Sequence, residues 1–154
     1  MEQSMNFTER STEIRNRSVP VDNAEIKPAA KAYLKDRYTK DDKQLYCQIC
    51  KQPMPFKLAD GSYYFEAVEL LKTDKRHKEN HLALCPTDAA KFLYANESKD
   101  TLEASIHVLI TRTTAEINNS QDQDNTCSVN LASNTETLTF SPLHLLDLKA
   151  ILSP

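Results

Sequence analysis

Apolar residues first recur at helical spacing between Pro28 and Tyr38. There Ala29, Ala30, Tyr33, Leu34 and Tyr38 fall on one face while Lys31, Lys35 and Arg37 take the remaining positions, which predicts a short amphipathic helix. Residues 1–27 are polar and without apolar periodicity, and are expected to form a poorly ordered arm or a linker from something larger. The helix is expected to stop at Thr39-Lys-Asp-Asp-Lys43. Leu45 to Lys51 then reads as a strand running into a tight turn, with Tyr46 and Ile49 as packing residues. Pro53 and Pro55 bar any continuing helix. The Asp60-Gly61 dipeptide is a hairpin signal, and the aromatic, β-favouring run Tyr63 to Leu70 predicts a strand pairing back across it onto Phe56 and Leu58.

Lys72 to Lys78 is expected to be an exposed loop. His81-Leu-Ala-Leu84 leads into Cys85, and Pro86 sits where a first helical turn tolerates a missing amide hydrogen. Ala89, Ala90, Phe92, Leu93 and Ala95 carry that helix to about Asn96. Leu102, Ile106, Leu109 and Ile110 form one face of a further helix from Asp100. Ile117 to Asn125 is expected to be an exposed polar loop. Thr126–Leu131 and Thr137–Phe140 read as strands joined through residues 132–136. Ser141-Pro142 opens a last, leucine-rich helix with Ser as N-cap and Pro in the first turn. The pattern is α+β, with residues 28–154 forming a single domain.

Composition narrows the partners. The 154 residues are 40% hydrophobic and 27% charged, with a formal net charge of −3, so there is no global attraction to nucleic acid. Charge is unevenly distributed. Residues 1–46 hold nine basic and eight acidic residues, 47–112 nine of each, and 113–148 five acidic and none basic. Any nucleic-acid surface therefore belongs to the first two thirds of the chain. The single glycine, Gly61, excludes glycine-rich phosphate loops, so no nucleotide is expected. No signal peptide and no membrane-length apolar run are visible, so a cytoplasmic setting without disulfides or membrane contact is expected.

The candidate chemistry lies in Cys47-Gln-Ile-Cys50 and Cys85-Pro-Thr-Asp88. Two thiolates on a turn and a third opening a helix are most of a tetrahedral zinc site. Asp88 repeats the two-residue gap and supplies a carboxylate oxygen, an accepted zinc donor. His81 and His77 are the alternative fourth ligands. The competing interpretation of any one cysteine is a small buried core residue, which is the expectation for Cys127.

Two strands followed by a helix, with metal ligands at the first turn and at the helix start, form a treble-clef or ββα-metal layout. Tyr46-Cys-Gln-Ile-Cys50, Phe65-Glu-Ala67 and Asn80-x4-Cys85-Pro86 resemble the HNH-type zinc modules, the ββα-metal nucleases with an additional structural zinc. A closer resemblance, from about Arg17 to Ile151, is to a C-terminal module of large bacterial sacsin-like GHKL ATPases, where a similar Tyr-Phe-Glu-Ala-Val-Glu stretch occurs. The HNH resemblance implies a pair of catalytic histidines directly after Phe-Glu-Ala, and this chain has Val68 and Glu69 there. It implies a further histidine one residue beyond the fourth zinc ligand, where Ala89 stands. The strand-orienting asparagine is present as Asn80.

Loss of a placed general base costs on the order of 10²–10⁴-fold in rate. The expectation is therefore a non-catalytic zinc module, accessory to a larger ATPase-type system, that binds a partner protein or, weakly and non-specifically, nucleic acid. The rival is an active metal-dependent endonuclease using Glu69, His77 or His81, and a third reading is a docking or dimerisation domain with no ligand beyond zinc. Lys72, Lys75, Arg76 and Lys78 are the candidate phosphate contacts, with a solvated loop as the simpler alternative. Tyr63, Tyr64 and Phe65 either stack on bases or fill a core. The C-terminal strands and last helix are expected to pack on the domain's own core or on a partner.

Overall fold

The computed structural model describes residues 23–152. Most of the expected arm, 1–22, lies outside the described residues, but its last stretch is helical. Helix α1 runs Asn23–Tyr38, straight through Pro28. A proline inside a helix costs about 3 kcal/mol. Ile26, placed one turn earlier than the apolar pattern indicated, is buried, and burial of an isoleucine contributes about 1.5–3 kcal/mol, enough to offset much of that cost.

Strands β1 (Glu66–Glu69) and β2 (His81–Leu84) form an antiparallel pair, with Glu66 opposite Leu84 and Glu69 opposite His81. Helix α1 and helix α2 (Pro86–Tyr94) both pack against it. All four residues of β2 are buried, which explains its unbroken apolar run Leu82-Ala-Leu84. The expected hairpin across Asp60-Gly61 is only partly present. The turn forms, with the Gly61 amide donating to Leu58 O at 2.9 Å and Gly61 at φ +92°, but a single bridge, Lys57 to Tyr63, replaces a ladder. The ladder partner of β1 comes instead from residues 81–84, a non-local pairing that local turn chemistry cannot announce. Leu45–Lys51 is likewise not a regular strand. Isolated bridges from Leu45 to Thr39 and from Tyr46 to Pro53 hold it.

Helix α3 (Lys99–Ile110) buries the predicted face Leu102, Ile106, Leu109 and Ile110. The segment expected to be an exposed loop contains helix α4 (Thr114–Asn118), started by a reciprocal capping box between Thr113 and Glu116. Ile117, expected in solvent, is fully buried. Strands β3 (Thr126–Leu131) and β4 (Asn134–Thr139) pair antiparallel through a two-residue turn rather than the five-residue connection expected. Ala132 and Ser133 both take positive φ, 50° and 68°, the geometry that two-residue hairpins require and that Asn-Gly would normally announce. Helix α5 (Pro142–Leu152) starts as predicted, with Ser141 Oγ accepting from the His144 amide at 3.2 Å. Its Leu145 and Leu148 are buried against α3 and α4, so the leucine-rich helix belongs to the domain's own core.

A chain of polar groups crosses this core. The Tyr38 hydroxyl accepts from the Ser141 amide at 3.2 Å and lies 2.6 Å from His144 Nδ1, while His144 Nε2 lies 2.8 Å from Glu79 O. With Nε2 facing a carbonyl, the network assigns the proton to Nε2, and the Tyr38 hydroxyl donates to Nδ1. Tyr33, Tyr38 and Phe140 present their edges to the imidazole at 5.4–5.6 Å between centroids. Alongside, Asp147 accepts from the Tyr33 hydroxyl and from Arg37 at 3.2 Å, tying α1 to α5.

Burial pushes His144 down to about 4, and His81, buried in β2, equally to about 4. Both rings are neutral in the folded state, whereas the unfolded chain takes up protons below about 6.5. Folding stability is therefore full above about pH 6.5 and falls as pH drops towards 4. Urea midpoints should decline across that window, and a His81→Gln/His144→Gln variant, whatever its absolute stability, should show a shallower decline. An unchanged slope in the variant would remove these rings as the cause.

Candidate metal centre

The six residues from Cys47 close on themselves. The Cys47 amide donates to Gln52 O at 3.0 Å and the Lys51 amide to Cys47 O at 3.0 Å. Lys51 takes φ +62°, the left-handed conformation that lets so short a turn reverse. The Ile49 amide points at Cys47 Sγ, 3.5 Å away. On the other side, Cys85 is the N-cap of α2, with extended backbone and its sulfur accepting from the Asp88 amide at 3.4 Å. Proline at the next position suits the helix start. One turn into α2, the Asp88 side chain therefore faces back towards the cap.

The two halves meet. The ligand atoms of Cys47, Cys50, Cys85 and Asp88 all lie within 4.8 Å of one another, close enough to hold a metal ion. Both the Cys47 and Cys85 thiols converge on one oxygen, Asp88 Oδ2, at 3.3 and 3.4 Å. Cys47 and Asp88 are buried, Cys85 half-buried and Cys50 exposed, so the group opens to solvent at Cys50. Burial pushes the Cys47 and Cys85 thiols up, so a bound cation is what would hold them as thiolates.

The alternative fourth ligands are elsewhere. His81 sits at the far end of β2 opposite Glu69, its Nδ1 3.1 Å from His77 O, and neither His81 nor His77 belongs to the cluster. Cys127 is also outside it, half-buried against the core, with burial pushing its thiol up to about 11.

A residue between the cysteines, singled out by no spacing rule, holds the centre in place. Gln48 is 2% exposed and bonds to two other elements through both its backbone and its side-chain amide. Its amide donates to Ala83 O at 3.0 Å and its Oε1 accepts from the Ala83 amide at 2.8 Å. Its carbonyl accepts from the Thr139 amide at 3.0 Å and its Nε2 donates to Thr139 O at 3.0 Å. The side chain thus acts as an additional rung between β2 and the end of β4. Beside it lies an open cleft of about 830 Å³ that Tyr38, Tyr46, Cys47 and Thr139 help line. Arg37 and Lys40 share its rim with Asp41 and Asp122, so its charge is mixed.

The positions that the HNH resemblance makes catalytic lie on the same scaffold. Val68 and Ala89 are buried apolar residues. Glu69, on the half-exposed side of β1, pairs with Arg76 at 3.4 Å. Asn80 is buried and clamps the base of the loop that precedes it, accepting from the Leu71 amide at 3.2 Å and donating to Leu71 O at 2.6 Å. Of the basic loop, Lys78 pairs with Glu79 at 3.1 Å and Arg76 with Glu69, while Lys72 and Lys75 are exposed. Half of its charge is already neutralised locally.

No helix among the described residues is long and apolar enough to cross a membrane. Compared with known proteins, the chain matches no family model, no curated protein and no solved structure.

Gln48→Ala would strand the Ala83 amide and the Thr139 carbonyl in the interior, each costing about 1–3 kcal/mol. The expected result is a destabilisation of several kcal/mol in urea unfolding. Gln48→Glu keeps the acceptor for Ala83 but sets a buried carboxylate oxygen against Thr139 O, so it should also destabilise, and more at neutral pH than at acid pH where the carboxyl regains a donor. A Gln48→Ala protein as stable as the parent would show that the extra rung is dispensable.

Proposed function

We propose that this chain is a zinc-stabilised binding module without catalytic activity. The convergence of Cys47, Cys50, Cys85 and Asp88 carries the reading. A tetrahedral zinc with bonds of about 2.3 Å to sulfur and about 2.0 Å to oxygen spaces sulfur and oxygen about 3.5 Å apart. The two sulfur–oxygen separations at Asp88, 3.3 and 3.4 Å, fit that edge. Three thiolates select zinc over magnesium or calcium, which take oxygen ligands. Four protein ligands also fill the tetrahedron and leave no position for a reactive water, the mark of a structural site. A turn carrying two ligands, an antiparallel strand pair and a helix whose first turn carries the other two supports the treble-clef, HNH-like layout.

Absence of nuclease activity rests on different residues. Where the resemblance requires imidazoles, Val68 and Ala89 offer no lone pair, and Glu69 is engaged by Arg76. The rival endonuclease reading has one observation in its favour. Glu69 and His81 face one another across the strand pair, and His81 Nε2 is buried without a partner. The module's action is then binding, in the setting that the second resemblance implies: beside a larger ATPase, against a partner protein. Phosphate contacts from Lys72 and Lys75 would be weak and indifferent to sequence.

Elemental analysis should return one zinc per chain. Cys85→Ser should lose the metal and cooperative unfolding, because structural zinc contributes roughly 10–16 kcal/mol of apparent binding energy in small domains. Cys127→Ser should lose neither. A folded protein with well under one zinc per chain would overturn the reading of the site.

Plasmid DNA should remain intact with magnesium or manganese. Nicking that disappears in Glu69→Ala would show that the carboxylate has taken over the missing base and that the chain is an enzyme.

A further inference from the structure

The turn around Gly61 and the adjoining face of α1 form a surface that neither the metal centre nor the core uses. Phe56 is 50% exposed and Leu58 46%. Phe56 stacks on Tyr64 with centroids 5.2 Å apart and planes 6° from parallel, and half of the Phe56 surface stays exposed to solvent. Lysines surround this stack. Lys31 lies over the rings of Tyr64 and Phe65 at 5.4 and 5.7 Å, and Lys57 lies over Tyr63 at 5.0 Å. Lys35, one turn along α1 from Lys31, is exposed and shares with it a shallow depression of about 290 Å³ floored by Tyr63 and Tyr64. Lys31, Lys35 and Lys57 have no carboxylate within ion-pair distance among the described residues. The nearby acids hydrogen-bond locally, Asp60 to the Ser62 amide and hydroxyl and Glu66 to the Tyr64 hydroxyl, and hydrogen bonds from Ser62 together with the field of Lys35 hold the Asp60 carboxyl below its ordinary value.

We propose that this face binds single-stranded nucleic acid, with an unpaired base continuing the Phe56–Tyr64 stack and Lys31, Lys35 and Lys57 neutralising the flanking phosphates. The chemistry distinguishes this ligand from its competitors. Open aromatic faces interleaved with unpaired cations are the features that single strands exploit, because every base has a face to stack while the backbone needs positive charge at intervals. A duplex keeps its base faces stacked on one another and would use only the lysines. An acidic peptide would likewise use the lysines but has no general need of the flat outer face of Phe56. Tyr63 to Phe65 divide accordingly, with Phe65 buried in the core and Tyr63 and Tyr64 half-exposed at this surface.

This assignment rests on the module being a binder rather than a nuclease, and the experiment separates the two. The probe is a labelled oligothymidylate of about twelve nucleotides, within the span that such surfaces cover, titrated by anisotropy against the zinc-loaded full chain at several salt concentrations. Three phosphate contacts on a single strand predict a log–log salt slope of about −2. Phe56→Ala should weaken binding on the order of tenfold or more while leaving the salt slope unchanged. Lys31→Glu/Lys35→Glu/Lys57→Glu should abolish binding, and Lys75→Glu/Arg76→Glu should change it little. Zinc content and circular dichroism matching the parent establish that each variant is folded, and the milder Phe56→Leu, which keeps an apolar side chain but not the ring, should also weaken binding.

Duplex of the same length bound as tightly, full displacement by an equal charge concentration of polyglutamate, or unchanged binding in Phe56→Ala would each overturn the proposal. Loss of binding in the Lys75/Arg76 variant alone would move the contact to the other loop and overturn it as well. No binding by an intact, zinc-loaded chain would overturn this proposal and leave the zinc module standing. Binding accompanied by metal-dependent cleavage of the oligonucleotide would overturn the non-catalytic reading and leave the surface standing.

Discussion

The packing of one short turn, residues 47–52, onto a strand and a helix start far away in sequence is the constraint on which the rest of this structure depends. The turn has little apolar surface of its own beyond Cys47 and Ile49. Directional interactions hold it instead: the Cys and Asp ligand atoms on one side and the Gln48 rung on the other. Directional bonds to two separate elements fix position and angle together, which hydrophobic contact alone does not. Through Gln48 the turn aligns β2 with the end of β4, and thereby the first strand pair with the second. The two sheets among the described residues have two strands each, too small to be stable alone. Joining them through a polar turn lets them share one core.

A second set of directional contacts performs the same service between the ends of the domain. Tyr33, Arg37 and Tyr38 come from the last two turns of α1, Asp147 and His144 from α5, and Glu79 from the approach to β2. Neutral His144 is the centre of this arrangement, accepting on one nitrogen and donating on the other inside an aromatic surround. A charged imidazole there would lose its water without gaining an anion in contact, and the ring's depressed proton affinity follows from that. The polar core thus specifies how α5 docks but makes the docking sensitive to acid, a trade that an all-leucine interface would not make.

How much of this was legible in the chain depends on how local each signal is. The ligand group could be read from two equal spacings, because Cys-x2-Cys and Cys-x2-Asp each place their donors through one turn of backbone. α3 and α5 could be read because their periodicity, or in α5 the Ser-Pro start, is contained in the element. α4 was readable too, from Thr113-x-x-Glu116, but a single buried residue, Ile117, gave it no periodicity to reinforce the cap. The turn at Ala132-Ser133 carries no glycine or asparagine at its two positive-φ positions, a conformation costing roughly 1–2 kcal/mol per residue. The Ala132 amide bonded to Ala95 O and the Ser133 amide bonded to Glu97 hold it there, and those partners are more than thirty residues away. The pairing of β1 with β2 and the role of Gln48 are of the same kind: each is decided by a surface that exists only after the fold has formed.

The same distinction bears on the proposed resemblance to an HNH layout. A metal centre needs its ligands at fixed spacing on rigid elements, and Cys47, Cys50, Cys85 and Asp88 converge closely enough to hold an ion. The nuclease centre that the HNH resemblance implies would need additional nitrogen donors on the neighbouring strand and helix. At those positions the chain has placed groups that serve packing: Val68 and Ala89 fill the core between the strand pair and α2. Glu69 forms an ion pair with Arg76, so these two charges meet one another. A histidine in place of Val68 would put a polar ring into the buried layer that holds the strands against the helix. On the proposed reading, binding would use surfaces that this core leaves free, and the aromatic turn around Gly61 is a place where part-exposed rings and several lysines without ion-pair partners among the described residues come together.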